Sequence, residues 1–160
     1  MIATGLQPFI NTRQDQPFRF FGAPTLLRAS SEATNGAFAM TESWAMPPGF
    51  ASPYHMHRLE DEAFYILEGE MKFVCDGKWM TARAGDYVYG PKLIPHGFKV
   101  VGTSPARMLL MVLPGGFDRF VLELAEDMSV PAGPPDMAKV AAMATKYSID
   151  LLGPLPDEAL

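Results

Sequence analysis

Fourteen glycines and 15 prolines are scattered in short clusters through this chain of 160 residues. Between them lie runs of four to eight residues rich in Val, Phe, Tyr, Ile, Met and Leu. Helices of ordinary length do not survive that spacing of breakers, whereas short strands joined by tight turns do. The runs predict strands near residues 18–21, 25–29, 37–46, 53–57, 62–67, 70–75, 78–83, 86–89, 96–101 and 106–113. Glu68-Gly69, Asp76-Gly77 and Ala84-Gly85-Asp86 read as the turns between them, with Asp76-Gly77 the clearest hairpin. The rhythm is that of an all-β barrel or sandwich.

The pattern changes after Pro114. Phe117, Phe120, Val121 and Leu124 fall on one face of a helix over 117–126. A Pro-rich break at 131–135 precedes a second helix over 137–147, with Met137, Val140, Ala141, Ala144 and Tyr147 as its buried stripe. A short terminal strand over 147–152 follows. These stripes read as core contacts rather than ligand sites. The reading is one domain over residues 1–160: N-terminal strands in 1–36, a barrel core in 37–113 and a C-terminal helical extension in 114–160.

A formal net charge of −5 and the lack of a basic stripe argue against a nucleic-acid partner. The longest apolar run, Met108 to Leu113, is too short to span a bilayer. Met1 to Pro8 has neither the cationic start nor the apolar run of a signal peptide. Cys75 is the sole cysteine, so an internal disulfide is excluded and a reducing cytoplasm is the expected location. Its strand-like setting reads as small buried filler.

The chain has three histidines, His55, His57 and His96. His55 and His57 stand at i and i+2 of an expected strand, so their imidazoles project from one face. His96 lies on a distant strand and must be brought to them by the fold. Three imidazoles and a carboxylate form a mixed nitrogen and oxygen shell suited to a divalent transition metal: Mn, Fe, Co, Ni, Cu or Zn. Three acids follow the pair. Glu62 is favoured as the fourth ligand because Phe64 and Ile66 continue its face at period two towards an apolar interior. Glu60 and Asp61 read as solvated turn acids, or as acceptors of an N–H from a ligand imidazole.

Gly49-x5-His55-x-His57-x4-Glu62-x6-Gly69 and Gly85-x5-Pro91-x4-His96 together resemble the two motifs of the cupin superfamily. The second motif departs at Leu93, where the family usually has Gly, and at Val100, where it often has Asn. The resemblance covers about residues 37–113. It implies a small jelly-roll β-barrel with His55, His57, Glu62 and His96 as the metal ligands. Beyond the barrel, Gly115-Gly116-Phe117, the Pro-rich break and Ala144 to Pro154 resemble single-domain bacterial cupins similar to quercetin 2,3-dioxygenase.

The expected chemistry is a dioxygenase-type reaction on a small enolisable or aromatic hydroxy compound, with Glu62 as base and dioxygen as co-substrate. Phe64, Ile66, Phe98 and Val100 are the candidate pocket walls, and Trp44 and Met46 candidates for its mouth. The alternatives are an oxygen-independent decarboxylase or isomerase, and a non-catalytic module that binds a metal or small ligand. The apolar N-terminal residues Phe18, Phe20, Phe21, Leu26 and Leu27 predict a twofold homodimer through these strands, unless they cover their own barrel.

Overall fold

The computed structural model describes residues 6–12 and 16–158; the reading of the first residues as no signal sequence falls partly outside them. In chain order the elements are β1 (Phe18–Phe20), β2 (Ala23–Ala29), β3 (Ala39–Met46), β4 (Tyr54–His57), β5 (Asp61–Glu68), β6 (Glu70–Cys75), β7 (Lys78–Arg83), β8 (Tyr87–Gly90), β9 (His96–Val101), β10 (Ala106–Leu113), α1 (Phe117–Glu123), β11 (Glu126–Asp127), α2 (Met137–Lys146) and β12 (Ile149–Gly153). They form two antiparallel sheets. The larger has the order β11-β1-β2-β3-β10-β5-β8, the smaller β12-β4-β9-β6-β7.

Turn chemistry accounts for the hairpins. Asp76 and Gly77 adopt φ of 49° and 73°, the left-handed pair that joins two strands with native twist. Cys75 accordingly faces Lys78 across β6 and β7. Gly69 turns β5 into β6 with φ of 82°. A Cβ there would lie 2.8 Å from both Ala106 Cα and Pro105 O, so the position needs glycine for space as well as for dihedral.

The core lies between the sheets. Alternation puts Phe64, Ile66, Met71, Phe73, Phe98, Val100, Met108 and Leu110 inside, while Tyr65, on the opposite face of β5, is exposed. The expected closed barrel is not formed. The two sheets share no ladder, and the opening beside β1–β2 and β12 is covered by the two short helices. The seven-residue α1 ends before the expected helix does, because Glu126–Asp127 leave it to pair with β1. On α2 the buried side is Val140, Met143, Ala144 and Tyr147, a clean i, i+3, i+4, i+7 stripe; Met137 and Ala141 are exposed instead. Asp136 caps this helix, its side chain accepting from the Ala138 and Lys139 amides.

The N-terminal strands are taken up by their own sheet: β2 pairs with β3 and β1 with β2, and Phe18, Phe20 and Phe21 pack on the core. Cys75 is half-buried rather than fully enclosed.

Candidate metal centre

The centre bridges the two sheets. β4 carries His55 and His57, β9 carries His96, and both belong to the smaller sheet. Glu62 comes from β5 of the larger one. His55 and His96 are direct cross-strand neighbours. Glu62 lies opposite Gly90 of β8, where a Cβ would stand 3.7 Å from the His96 ring. That distance is an ordinary van der Waals contact, so Gly90 borders His96 without being required there for space. Face-to-face packing of the sheets, not closure of a barrel, joins the four residues.

One donor atom from each of His55, His57, Glu62 and His96 lies within 4.8 Å of every other. Glu62 Oε2 is 2.5 Å from His96 Nε2 and 3.6 Å from His55 Nε2, and Oε1 is 3.5 Å from His57 Nε2. Ligand atoms about 2.1 Å from one ion stand about 3–4 Å from each other; the contacts of Glu62 with His55 and His57 fall in that range and its contact with His96 is closer, so the group could close on one cation with small shifts of its side chains.

The opposite ring nitrogens fix which atoms face inward. Nδ1 of His55 is 2.8 Å from the Pro53 carbonyl and Nδ1 of His96 is 2.8 Å from the Ile94 carbonyl. Both are acceptors, so each Nδ1 carries the proton and Nε2 keeps its lone pair for the centre. His57 Nδ1 lies 3.3 Å from Glu60 Oε2. Glu60 is buried, so of the two readings of this acid the imidazole acceptor holds and the solvated turn acid does not. His57 Nε2 is fully buried yet in no hydrogen bond. A buried nitrogen lone pair that faces the Glu62 carboxylate at 3.5 Å without a hydrogen bond costs free energy unless something electrophilic meets it. The four residues thus could hold a metal ion.

Charge supports the same reading. Burial pushes the Glu62 carboxyl upward, but the neighbouring imidazoles, His57 before His55 and His96, outweigh it and hold the group well below the ordinary carboxylate range. Burial lowers His57, and the Glu62 and Glu60 carboxylates more than offset it, so its pKa rises. The pocket therefore holds an ionised carboxylate, and positive charge is favoured at His57.

A cavity of about 90 Å³ opens against the centre. Phe64 and Phe98, expected as walls, line it; Ile66 and Val100 are buried in the core but do not. Met46 lines it, whereas Trp44 points to the opposite face of β3 beside Arg28 and Arg107. Sequence reasoning missed Phe20, Phe21, Phe117, Phe120 and Val140, which close the cavity from the terminal segments. Their apolar spacing was visible but gave no sign of which cavity they face. The Phe117 ring lies 5.1 Å from that of His57, so α1 shields the centre from solvent.

Residues 43–112 match the family described as Cupin domain. Among known proteins, the chain is 29% identical over 98 residues to quercetin 2,3-dioxygenase of Bacillus subtilis, a match over 61% of this chain and 28% of that protein. It is 29% identical over 84 residues to the oxalate-binding protein of Thermotoga maritima, over 52% of this chain and 69% of that one. The crystal structure of a predicted oxalate decarboxylase from Thermotoga maritima superposes with a TM-score of 0.58 at 26% identity, covering 67% of this chain and 99% of that one. No helix among the described residues is long and apolar enough to cross a membrane.

Proposed function

We propose that this chain is a metal-dependent enzyme of dioxygenase type acting on a small enolisable or aromatic hydroxy compound. The observation that carries the reading is the convergence of three histidine Nε2 atoms and the Glu62 carboxylate on one point beside an apolar cavity. His55, His57, Glu62 and His96 would be the ligands of one divalent ion: Mn, Fe, Co, Ni, Cu or Zn. Bound there, the ion supplies Lewis-acid polarisation of a substrate hydroxyl and a means of activating dioxygen.

The chain's own residues do the rest. Glu62 is held ionised, so its carboxylate is the base that accepts the substrate hydroxyl proton. Pro53 O, Ile94 O and Glu60 keep the imidazoles in one tautomer and orientation. The aromatic walls exclude water, which strengthens each electrostatic contact inside. Residues 1–160 would form one domain of a cytoplasmic homodimer with a small-molecule substrate and no nucleic-acid or membrane partner. Exposed Tyr65, Tyr87 and Tyr89 on the outer face of the larger sheet support a subunit contact, which sedimentation tests.

The names of the Thermotoga relatives favour a second reading, an oxygen-independent decarboxylase or a ligand-binding role. Oxygen uptake by the metal-loaded protein in a screen of phenols and enols separates the two. Glu62→Gln should lower turnover by at least about a hundredfold, the scale of a general base, while keeping some metal. Full activity in that variant would remove Glu62 as base; turnover without oxygen consumption would replace the dioxygenase reading.

A further inference from the structure

We infer that the cavity beside the centre takes a single-ring, otherwise uncharged hydroxy compound, and that Phe21 is the residue that sets this limit. The inference rests on the reading of the four ligands as a metal site, and deepens it.

Size comes first. The cavity measures about 90 Å³. A dry apolar cavity of about 150 Å³ admits benzene, and pockets for larger, drug-sized ligands begin at about 300 Å³. This cavity gives less room than the one that admits benzene, so a single ring enters only with part of it left at the open side of the cavity, and nothing larger is taken up. A three-ring flavonol, the kind of compound named by one relative, does not fit the same space.

Charge comes second. Apart from Glu62 and the histidines, the lining residues are apolar or neutral, and neither Lys nor Arg is among them. A divalent ion with the Glu62 carboxylate leaves one positive charge, which one ionised hydroxyl balances. A second anionic group would be buried without a partner, at a heavy cost. Oxalate, the ligand named by another relative, carries that second charge. The polar atom that the wall does offer is neutral. Thr25 Oγ1 donates to Ala23 O, so at 2.9 Å Ser43 Oγ donates to Thr25. The lining hydroxyl of Ser43 keeps a lone pair for a ligand O–H.

Phe21 enters through a second space. A shallow cleft of about 60 Å³ lies between the β1–β2 turn and the start of α2. Phe21 and Val140 line both the cleft and the cavity, so these two side chains form the partition between them. Val140 is buried in a helix. Phe21 is half-buried at a turn, with φ of 49° followed by Gly22 at 86°. A left-handed φ is costly for a bulky residue and free for glycine. Phe21→Gly therefore loses the ring while relieving the backbone, and joins cleft to cavity.

The test is calorimetric titration of the full chain, Zn²⁺-loaded and chelator-stripped, with 4-methylphenol, 4-hydroxybenzoate and quercetin. The first two share ring and hydroxyl and differ in distal charge. In the Zn²⁺-loaded protein, 4-methylphenol should bind at least about tenfold more tightly than 4-hydroxybenzoate and than quercetin. Phe21→Gly should gain at least about tenfold for quercetin with little change for 4-methylphenol. If Phe21→Gly fails to fold, Phe21→Asn, whose side chain tolerates the same φ, carries the same expectation. Equal affinity for the two phenols, quercetin binding to the wild type as well as 4-methylphenol, or no gain in a folded Phe21 variant would overturn the inference. If 4-methylphenol binds the stripped protein and Zn²⁺ neither binds nor changes that affinity, the metal reading fails and the cavity assignment stands.

Discussion

Glu60 gives the sharpest handle on how the centre is held. His55 and His96 are oriented by main-chain carbonyls that no substitution of a side chain removes. His57 depends on one carboxylate, 3.3 Å from its Nδ1, and its side chain is completely inaccessible to water. In Glu60→Ala the buried Nδ1–H loses its acceptor, at a cost of about 1–3 kcal/mol. The ring can avoid that cost by moving its proton to Nε2, which then no longer offers a lone pair to the centre. Either way metal affinity suffers. Loss of such an outer partner typically weakens binding about 10–100-fold, or about 1.4–2.8 kcal/mol. Glu60→Gln keeps an amide oxygen in place and should lose less. Competition titration of Zn²⁺ against a chromogenic chelator reads the affinities, with thermal melts of the stripped proteins as control. Glu60→Ala binding Zn²⁺ within about twofold of the wild type would refute the reasoning, since twofold is only about 0.4 kcal/mol.

Two further outcomes concern the scaffold. Gly69→Ala should cost about 2–5 kcal/mol in chemical denaturation, from its left-handed φ and from displacement of the Pro105–Ala106 backbone 2.8 Å away. Gly49→Ala, at φ +88° with nothing within 4 Å, should cost only about 1–2 kcal/mol; equal losses would show that space at Gly69 is immaterial. Burial raises the Glu42 carboxyl, but hydrogen bonds from Arg107 and Arg28 outweigh it and hold the pKa below the ordinary 4.5; Arg28 Nε and Arg107 Nε stand 2.7 Å from its oxygens. A carboxyl with a depressed folded pKa stabilises the fold above its unfolded pKa, and that contribution fades as pH falls from about 4.5 through the folded value. Denaturation across this range should show a steeper acid loss in the wild type than in Glu42→Gln, and parallel curves would contradict the assignment.

Much of the fold was legible because local rules and tertiary packing agree. Strands β6, β7, β9 and β10 run as the apolar runs and turn dipeptides predict, and the face of Glu62, Phe64 and Ile66 is buried while Tyr65 is exposed. The four candidate ligands are brought together because two adjacent strands hold the histidines and the opposing sheet supplies the acid. Leu93, the departure from the usual motif glycine, keeps the turn at φ 64°, with its amide bonded to the His57 carbonyl at 2.8 Å; that hydrogen bond helps to hold a geometry the side chain disfavours.

Elsewhere the sequence is silent for identifiable reasons. Two-residue β11 is too short to carry a period. The open sandwich and the closed barrel have the same strand alternation, and differ only in whether edge strands meet. Glu60, Asp61 and Glu62 are equivalent as letters, and only the approach of His57 picks out Glu60 as a buried acceptor. Period two places Ile66 and Val100 inside but does not say that the cavity ends before them. The rings of Phe20, Phe21, Phe117 and Phe120 reach it from segments whose own patterns report burial alone.

Elemental analysis of the purified wild type beside His96→Ala tests the centre most directly. About one divalent transition-metal ion per chain is expected in the wild type, the stoichiometry of a single-ion site, with a content well below that in the variant. Wild-type protein that takes up no ion when offered each candidate metal, or equal metal in both proteins, would contradict the account.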